Sequence, residues 1–361
     1  MASKAITMYT AFNIGNLTIK NRLVRSAIYE FGAEQGQITP RIKTLYQELA
    51  AGGSGLIITG MHSVAPGAGI GPAMVSAAAD DYVEQMRQIA EQVHSYGSRI
   101  FVQLNHAGYR TDWRHGYDCF GVMERAVAED CTYHAMSAAE IKAVAQAFAI
   151  AAQKCQAAGC DGVQIHAAHG FLLNTFLAPY FNQRTDDYGG AITNRARFLL
   201  MVYQHIRTAV GDDYPISVKI PFSDKVTPSI TAEESIWLCQ QLAAQGIDMI
   251  EVSSGITMDG GESSFTPLLN ADAPEGSFLA GAAQLAASVP VPVISVCGYR
   301  TPDFIEQTLQ ETPVTAISLG RPLICEPDLP LRWQSDRRRA ACVSCNRCYK
   351  SQGLIACQNR R

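Results

Sequence analysis

The sequence has few charged residues, and its apolar runs are never long enough to span a membrane. Only 17% of its 361 residues are charged and 47% are hydrophobic, a composition that is typical of a folded chain with a large core. The longest apolar runs have the length of single strands, so we expect no transmembrane helix. The N-terminal segment MASKAITMYT lacks the apolar core of a secretory signal. The net charge of −4 favours neither nucleic acid nor a membrane as a partner.

Cysteine is abundant, but its distribution does not indicate a disulfide framework. Of the eleven cysteines, seven are scattered along the chain and four are concentrated in the last twenty residues. Disulfide frameworks are typical of small secreted domains, which cannot build a sufficient hydrophobic core. We therefore expect reduced thiols and a cytoplasmic protein.

The sequence also lacks the Gly-rich signatures of nucleotide-binding sheets, since neither G-x-G-x-x-G nor a Walker A pattern occurs. Short apolar runs instead alternate with amphipathic segments. The predicted strands are residues 21–28, 55–60, 99–106, 162–168, 216–221, 249–255, 291–298 and 316–321. The predicted helices are residues 40–52, 80–96, 137–158, 191–210, 231–245, 278–288 and 302–310. Two of these helices begin with a capping-box pattern, Ser137 with Glu140 and Thr231 with Glu234.

Eight strand–helix alternations predict an α/β fold, a (β/α)8 TIM barrel. The alternative, an open doubly wound sheet, more often has fewer strands and a Gly-rich phosphate loop after the first. A barrel needs about 250 residues, so the remainder forms loop insertions after strands 3 and 6, residues 107–136 and 256–277, and a Cys-rich C-terminal tail. We expect the insertions to form the walls or lid of a substrate pocket. The predicted units are a barrel, residues 1–331, and a basic tail, residues 332–361.

The ends of the predicted strands carry polar side chains and glycines, which a barrel gathers around one mouth. These candidate site residues are Ser26, Ala27, Ile28, Tyr29, Gly60, Gln103, His166, His169, Lys219, Ser253, Ser254, Gly298, Gly320 and Arg321. Strands 3 to 5 supply hydrogen-bonding and cationic groups, whereas strands 7 and 8 supply glycines at the usual barrel phosphate site. The pattern predicts a flat, phosphorylated ligand with an electron-rich head.

Other interpretations of the same residues remain open at this level. The pair His166 and His169 has the spacing of half a metal site, but no third ligand follows at suitable spacing. Lys219 is also compatible with an interior cation paired to a carboxylate. In a flavin-free lyase or aldolase, Lys219 would instead form a Schiff base with substrate. A non-catalytic ligand-binding barrel is a third reading.

A long compound motif begins at the end of the fourth predicted strand. It consists of H-A-A-H-G-x-L from His166, N-x-R-x-D-x-Y-G-G from Asn182, and Asn194-Arg195-x-Arg197. Together with GLIITG, QLNHAG and LGRP elsewhere in the chain, it resembles the Old Yellow Enzyme-like NADH:flavin oxidoreductase family. The resemblance implies bound FMN, NADH or NADPH as reductant, and a small electrophilic acceptor such as an enone, nitro compound or quinone. We also expect a homo-oligomer.

The resemblance assigns flavin contacts by position. Ala27, Ile28 and Gly60 would contact the isoalloxazine through backbone groups, and Gln103 would bond its pyrimidine edge. Lys219 would lie near N1 and O2, where a cation stabilises the negative charge of reduced flavin.

The resemblance also assigns the phosphate and substrate sites. Gly298, Gly320 and Arg321 would hold the phosphate. His166 and His169 would donate hydrogen bonds to a carbonyl or nitro oxygen of the substrate and so polarise the bond that accepts hydride.

Phe171 departs from the family pattern. Related ene-reductases usually have a tyrosine there, which protonates the substrate carbon, and phenylalanine has no proton to donate. Tyr29 is our first candidate for the replacement donor, and ordered water is the second.

The last twenty residues contain the pattern C-x2-C-x2-C-x8-C, formed by Cys342, Cys345, Cys348 and Cys357. This spacing indicates metal ligands. It resembles the 4Fe–4S iron-sulfur segment of larger family members, 2,4-dienoyl-CoA reductase and trimethylamine dehydrogenase. Zinc on the same thiolates, or an empty site, is the alternative.

The tail is strongly basic, with eight cations and one acid in residues 332–361. A solvated surface is the simplest explanation of this charge. A more specific explanation is an acidic electron-transfer partner protein or a phosphate-bearing substrate.

Overall fold

The computed structural model describes residues 6–256, 274–351 and 353–359. In this part of the chain the strands are β1 (Phe12–Ile14), β2 (Leu17–Ile19), β3 (Leu23–Arg25), β4 (Leu56–Ser63), β5 (Arg99–Asn105), β6 (Phe120–Gly121), β7 (Arg125–Ala128), β8 (Cys131–Ala135), β9 (Gly162–His166), β10 (Ile216–Pro221), β11 (Met249–Ser253), β12 (Val293–Val296) and β13 (Ala316–Leu319). The helices are α1 (Pro40–Ala51), α2 (Tyr82–Ser95), α3 (Ala138–Ala157), α4 (Leu172–Leu177), α5 (Ile192–Arg195), α6 (Arg197–Val210), α7 (Ala232–Ala244), α8 (Leu279–Ala286), α9 (Pro302–Glu311), α10 (Arg321–Cys325) and α11 (Leu329–Arg332).

Eight parallel strands close into a barrel in the order β3, β4, β5, β9, β10, β11, β12 and β13. These are the eight predicted apolar runs in chain order, so the predicted (β/α)8 barrel is confirmed. Apart from Arg99 at the start of β5, the residues of these strands are buried, as expected when helices cover a parallel sheet on its outer face. The first run is the least accurate, because only Leu23–Arg25 of residues 21–28 is strand. The backbone beyond Arg25 leaves the sheet and lines the mouth of the barrel.

A short antiparallel hairpin, β1 and β2, supplies apolar side chains to the barrel interior. Phe12, Ile14 and Ile19 pack in one cluster with interior side chains of the strands, among them Phe101 and Ile294. The sequence reading missed this hairpin because two three-residue strands give too short a periodic signal. The cluster fills one part of the barrel interior with apolar atoms, so the polar side chains of the strands lie elsewhere in it.

Both predicted capping boxes are present. The Ser137 hydroxyl accepts a hydrogen bond from the N–H of Glu140, whose side chain bonds back to the N–H of Ser137. Thr231 and Glu234 form the same reciprocal pair at the start of α7. These caps satisfy N–H groups that the first helical turn leaves without partners, and one such cap is typically worth about 1 kcal/mol.

The insertion after the third barrel strand, residues 107–136, folds into a small sheet of β6, β8 and β7. It packs beside the barrel mouth and contributes Arg110 to the wall of the cavity found there. Most of the predicted insertion at 256–277 lies outside the described residues. The predicted pocket wall therefore rests on the first insertion alone.

The cysteine-rich tail packs against the barrel. Cys348 and Ile355 form an apolar cluster with Ile28 and Ile324, and the N–H of Ile355 donates to the carbonyl of Glu30 at 2.7 Å. All eleven cysteines are free thiols. Within the described ranges, no helix combines the length and apolar character needed to cross a membrane.

Candidate active site

A cavity of about 600 Å³ opens at the carboxyl ends of the barrel strands. This volume suits a cofactor-sized ligand. Among its lining residues are most of the predicted ones: Ser26, Ala27, Ile28, Tyr29, Gln103, His166, His169, Phe171, Lys219, Ser253, Gly298, Gly320 and Arg321. Residues from seven of the eight predicted strands therefore meet at one site.

Two candidate residues, Gly60 and Ser254, do not line the cavity, and Gly60 is the one predicted to contact the flavin. Its N–H donates to the carboxylate of Glu30 and contacts the Tyr46 hydroxyl at 3.1 Å. A side chain at position 60 would overlap the Glu30 carboxyl group. In this structure the glycine is thus required by a buried acid, and its N–H is already occupied.

A buried polar network lies within the barrel and reaches the cavity. Lys219 is the register partner of Glu251 on β11, and its Nζ lies 3.3 Å from Glu251 Oε1 and 3.0 Å from the Ser26 hydroxyl. Glu251 also accepts hydrogen bonds from Ser26 at 2.8 Å and from Gln164 at 3.0 Å. Gln103 continues the network by donating to Gln164 at 2.7 Å. Two predicted flavin contacts are therefore held by residues that the sequence reading did not select.

The network keeps Glu251 ionised despite its complete burial. Burial by itself raises the pKa of this carboxyl group, but the Lys219 ammonium and the two hydrogen bonds outweigh that effect, so the pKa is lowered. The sequence does contain a signal for Glu251, because it is the single charged residue of the apolar strand MIEVS. A carboxylate buried in this way requires a partner.

The two histidines lie together on one wall of the cavity, with ring centroids 5.3 Å apart. His166 ends β9, and His169 follows in a left-handed conformation with φ of 65°. Its Nε2 lies 2.7 Å from the Ser253 hydroxyl, which fixes the ring. The buried Nδ1 of His166 has no hydrogen-bond partner in the described part of the chain. An orphaned imidazole nitrogen in a cavity is a ready contact for a ligand.

Both imidazoles are neutral near pH 7. Burial lowers the pKa of each ring well below its usual range, and the charges of Lys219 and Arg110 lower it further. A neutral imidazole donates one N–H to a ligand. The pair is therefore suited to hydrogen bonding with a substrate oxygen and poorly suited to donating a proton.

Phe171 and Tyr29 belong to one apolar cluster beside the histidines. The Phe171 ring lies 4.8 Å from that of His166 and packs with Met61 and Met74, and Tyr29 contacts the same cluster. Burial raises the pKa of the Tyr29 phenol, and the charge of Glu30 raises it further. Tyr29 thus keeps its proton and lines the same cavity as the histidines.

Arg110, which the sequence reading did not select, also enters the cavity. Its guanidinium carbon lies 4.7 Å from the centroid of the Phe171 ring, and its Nη1 donates to the carbonyl of His169 at 3.3 Å. The sequence signal for Arg110 was its position as a cation in an insertion that was predicted to form a wall of the pocket.

Glycines and a cation meet at the opposite part of the cavity. Gly298 has φ of 88°, and a side chain there would lie 3.2 Å from the carbonyl oxygen of Pro274, so glycine is favoured on both counts. Arg321 lies next to Gly320 and donates to Asn346 Oδ1 at 2.6 Å and to the Ser344 carbonyl at 3.3 Å.

The tail forms part of the cavity wall, which the sequence reading did not predict. Ser344, Asn346, Tyr349 and Lys350 all line the cavity, and they alternate with the cysteines of the C-terminal motif. The contact of Arg321 with Asn346 therefore joins the predicted phosphate site to the cysteine loop.

The four cysteines of the motif, Cys342, Cys345, Cys348 and Cys357, line one small adjoining cavity. Its volume of about 20 Å³ is room for one or two water molecules, so a larger group requires the side chains to rotate. Among the residues that the structure describes, no three histidine, cysteine or acidic side chains are grouped to hold one metal ion. A fifth thiol, Cys325, hydrogen-bonds with Cys357.

Comparison with known proteins gives a consistent picture. The model of the NADH:flavin oxidoreductase / NADH oxidase family matches residues 7–340. An NADH oxidase from Thermoanaerobacter brockii is 33% identical over 353 residues, which cover 94% of this chain and 52% of the relative. An NADPH dehydrogenase from Bacillus subtilis is 34% identical over 251 residues, which cover 69% of this chain and 73% of the relative.

The chain also matches a solved structure over most of its length. Morphinone reductase in complex with tetrahydroNAD superposes with a TM-score of 0.78 at 23% identity, covering 92% of both chains. The chain spans about half the length of the longer curated relatives that it matches.

Proposed function

Because the chain belongs to the NADH:flavin oxidoreductase / NADH oxidase family, we propose that it is an FMN-dependent oxidoreductase that passes hydride from NADH or NADPH to an electrophilic organic acceptor. One observation carries this proposal. A neutral histidine pair, the Lys219 ammonium and the glycines that follow β12 and β13 all meet in one cavity. Bound FMN would supply the hydride chemistry.

The lining residues fit an FMN molecule. Gln103 and Lys219 offer a hydrogen-bonding group and a cation to a pyrimidine edge, and the network beneath fixes their positions. Gly298, Gly320 and Arg321 provide close backbone approach and a cation for a phosphate. Ala27 and Ile28 add flat contact surface between these two ends.

The other wall would bind the acceptor. His166 and His169 are neutral donors and would hold a carbonyl or nitro oxygen, which withdraws electron density from the bond that receives hydride. Tyr29 would deliver the proton, since Phe171 has none and Tyr29 lines the same cavity with its phenol protonated.

The ion pair of Lys219 and Glu251 weighs against a Schiff-base lyase or aldolase. A lysine nucleophile needs a neutral amine, whereas a buried carboxylate 3.3 Å away stabilises the ammonium. An interior cation paired with a carboxylate, the alternative raised from the sequence, fits the structure better.

We further propose that the four cysteines bind a 4Fe–4S cluster. Their C-x2-C-x2-C-x8-C spacing is typical of iron-sulfur ligands, and the four thiols line one small cavity. A cluster would occupy that cavity only after the thiol side chains rotate. The cluster would exchange electrons between FMN and a partner protein, beside the basic tail.

Cofactor content tests the main proposal. The purified protein should be yellow, release about one FMN per chain on denaturation, and bleach on anaerobic addition of NADH or NADPH. His166→Ala and His169→Ala should keep the flavin and weaken binding of a phenol by about 1–3 kcal/mol each, the cost of stranding a buried hydrogen-bonding group. A colourless protein that takes up no FMN would overturn the assignment.

A further inference from the structure

The charge of the main cavity is strongly one-sided. Among the described lining residues no side chain is acidic, and the cations are Arg110, Lys219, Arg300, Arg321 and Lys350. Glu251 pairs with Lys219 from beneath, and Arg321 contacts Asn346 at the phosphate end. Arg110 stands apart from these two, because it lies on the wall of the histidine pair.

Arg110 has no acidic partner in the described residues. Its polar contact there is the His169 carbonyl at 3.3 Å, and the Phe171 ring lies 4.7 Å from its guanidinium carbon. Burial lowers its pKa to about 10, which leaves the group charged at neutral pH. A half-buried cation without a counter-ion is costly, and an anionic ligand would offset that cost.

We propose that the physiological acceptor carries a carboxylate, which Arg110 binds. The inference rests on the proposed function, since it names the substrate class of that same site. The guanidinium lies over the Phe171 ring, with its carbon 4.7 Å from the ring centroid, and a guanidinium can make a two-point contact with a carboxylate. The contact with His169 brings the cation next to the groups that hold the reacting part of the acceptor, so the carboxylate lies within a few bonds of it.

Two other anions fit this position less well. The FMN phosphate belongs to the other part of the cavity, with Gly298 and Arg321. The phosphates of NADH or NADPH are separated from the nicotinamide ring by a ribose, whereas Arg110 contacts the residue beside the reacting group. A carboxylate on the acceptor itself could contact Arg110 without a ribose between it and the reacting group.

Ligand titration of the flavin-loaded protein tests the inference. The probes are 3- and 4-hydroxybenzoate with their methyl esters, because phenols bound over a flavin change its absorbance. The variants are Arg110→Leu and Arg110→Lys, and the matched control is Arg114→Leu, which removes an exposed cation from the same insertion. FMN content and thermal stability are recorded for each protein, and Arg110→Lys supplies the comparison if Arg110→Leu does not fold.

The unaltered protein should bind at least one acid more tightly than its ester. Arg110→Leu should weaken acid binding about 10- to 100-fold, the range for a lost charge-assisted hydrogen bond, and leave ester binding within about threefold. The acid affinity of Arg110→Lys should lie between those of the unaltered protein and Arg110→Leu. Arg114→Leu should bind acid and ester as the unaltered protein does. Equal weakening of acid and ester, no preference for either acid, or a raised KM for NAD(P)H with unchanged acid binding would each overturn the inference. A protein without FMN would instead refute the proposed function.

Discussion

Lys219 Nζ lies 3.3 Å from Glu251 Oε1 inside the barrel, with the two side chains 5% and 0% exposed. The pair carries no net charge, and the carboxylate therefore weakens the positive potential that Lys219 offers to a ligand above it. In a flavin site this potential acts on the negative charge that the pyrimidine ring gains on reduction. Glu251 is thus placed to adjust the reduction potential without contact with the flavin.

Removal of this carboxylate should raise the reduction potential of the bound flavin. Glu251→Gln keeps the hydrogen-bonding shape but leaves the charge of Lys219 uncompensated, so reduced flavin is stabilised. We expect an upward shift on the order of 30–60 mV, which corresponds to about 1.4–2.8 kcal/mol for a two-electron couple. Anaerobic reduction in equilibrium with a reference dye measures this shift in reduction potential.

Two further variants make this result interpretable. Lys219→Met should shift the potential downward, and Glu306→Gln, which removes a carboxylate from a surface pair with Arg337, should leave it unchanged. A downward shift in Glu251→Gln would contradict the electrostatic argument.

Tyr29→Phe should slow proton delivery. Phe171 lies in the same cluster as Tyr29 and has no proton, so loss of the phenol leaves only water as a donor. Reoxidation of the reduced flavin by an enone should slow about 10²-fold, the lower range for a general acid, while reduction by NAD(P)H stays nearly unchanged. Stopped-flow measurement of the two half-reactions separates these effects.

A second tyrosine should rescue that defect. Phe171→Tyr places a phenol next to His166, and in the Tyr29→Phe background it should restore much of the lost rate. A quinone acceptor, which does not need the same proton relay, serves as the control. If Tyr29→Phe reacts with the enone at the normal rate, the donor lies elsewhere.

The barrel and its mouth could be predicted because both follow from local patterns. Each apolar run predicts one strand. Closure of the barrel brings the ends of these strands together, so the mouth could be predicted without exact strand limits. His166 and Lys219 illustrate this, since they lie far apart in sequence and are register partners on β9 and β10.

The remaining features depend on contacts across the fold. Glu251 and Gln164 alternate with apolar residues in buried strands, and only the barrel register shows that they support Lys219 and Gln103. Arg110 lies in an irregular segment, where no periodicity indicates its direction. The bond between Arg321 and Asn346 joins two parts of the chain that the sequence reading treated as separate units.

Buried neutral histidines should make the protein acid-sensitive. Burial lowers the pKa of His62 to about 3, whereas an unfolded histidine titrates near 6.5. Below pH 6.5 the unfolded chain therefore binds a proton that the folded chain does not, and stability is lost as the pH falls. From pH 7 to 5.5 the loss is about 1 kcal/mol for one such histidine.

His62→Gln should reduce this dependence. Glutamine does not titrate and can still bond with the Tyr82 hydroxyl, which lies 2.8 Å from His62 Nδ1. The change in unfolding free energy between pH 7 and 5.5, measured with denaturant, should shrink by about 1 kcal/mol. His205→Gln, at a surface contact with Gln146, is the control. An unchanged pH dependence in His62→Gln would mean that His62 is protonated in the folded state.

The cysteine loop yields the last prediction. Protein purified without oxygen should contain about four irons and four acid-labile sulfides per chain. Cys348→Ser should lose both, because Cys348 belongs to the thiols that line the small cavity, whereas Cys239→Ser, in α7, should retain them. The loop also supplies Asn346 to Arg321 at the phosphate end, so Cys348→Ser should retain FMN less tightly as well. Stoichiometric zinc without sulfide, from the same preparation, would instead make the tail a structural clip on a simple flavoenzyme.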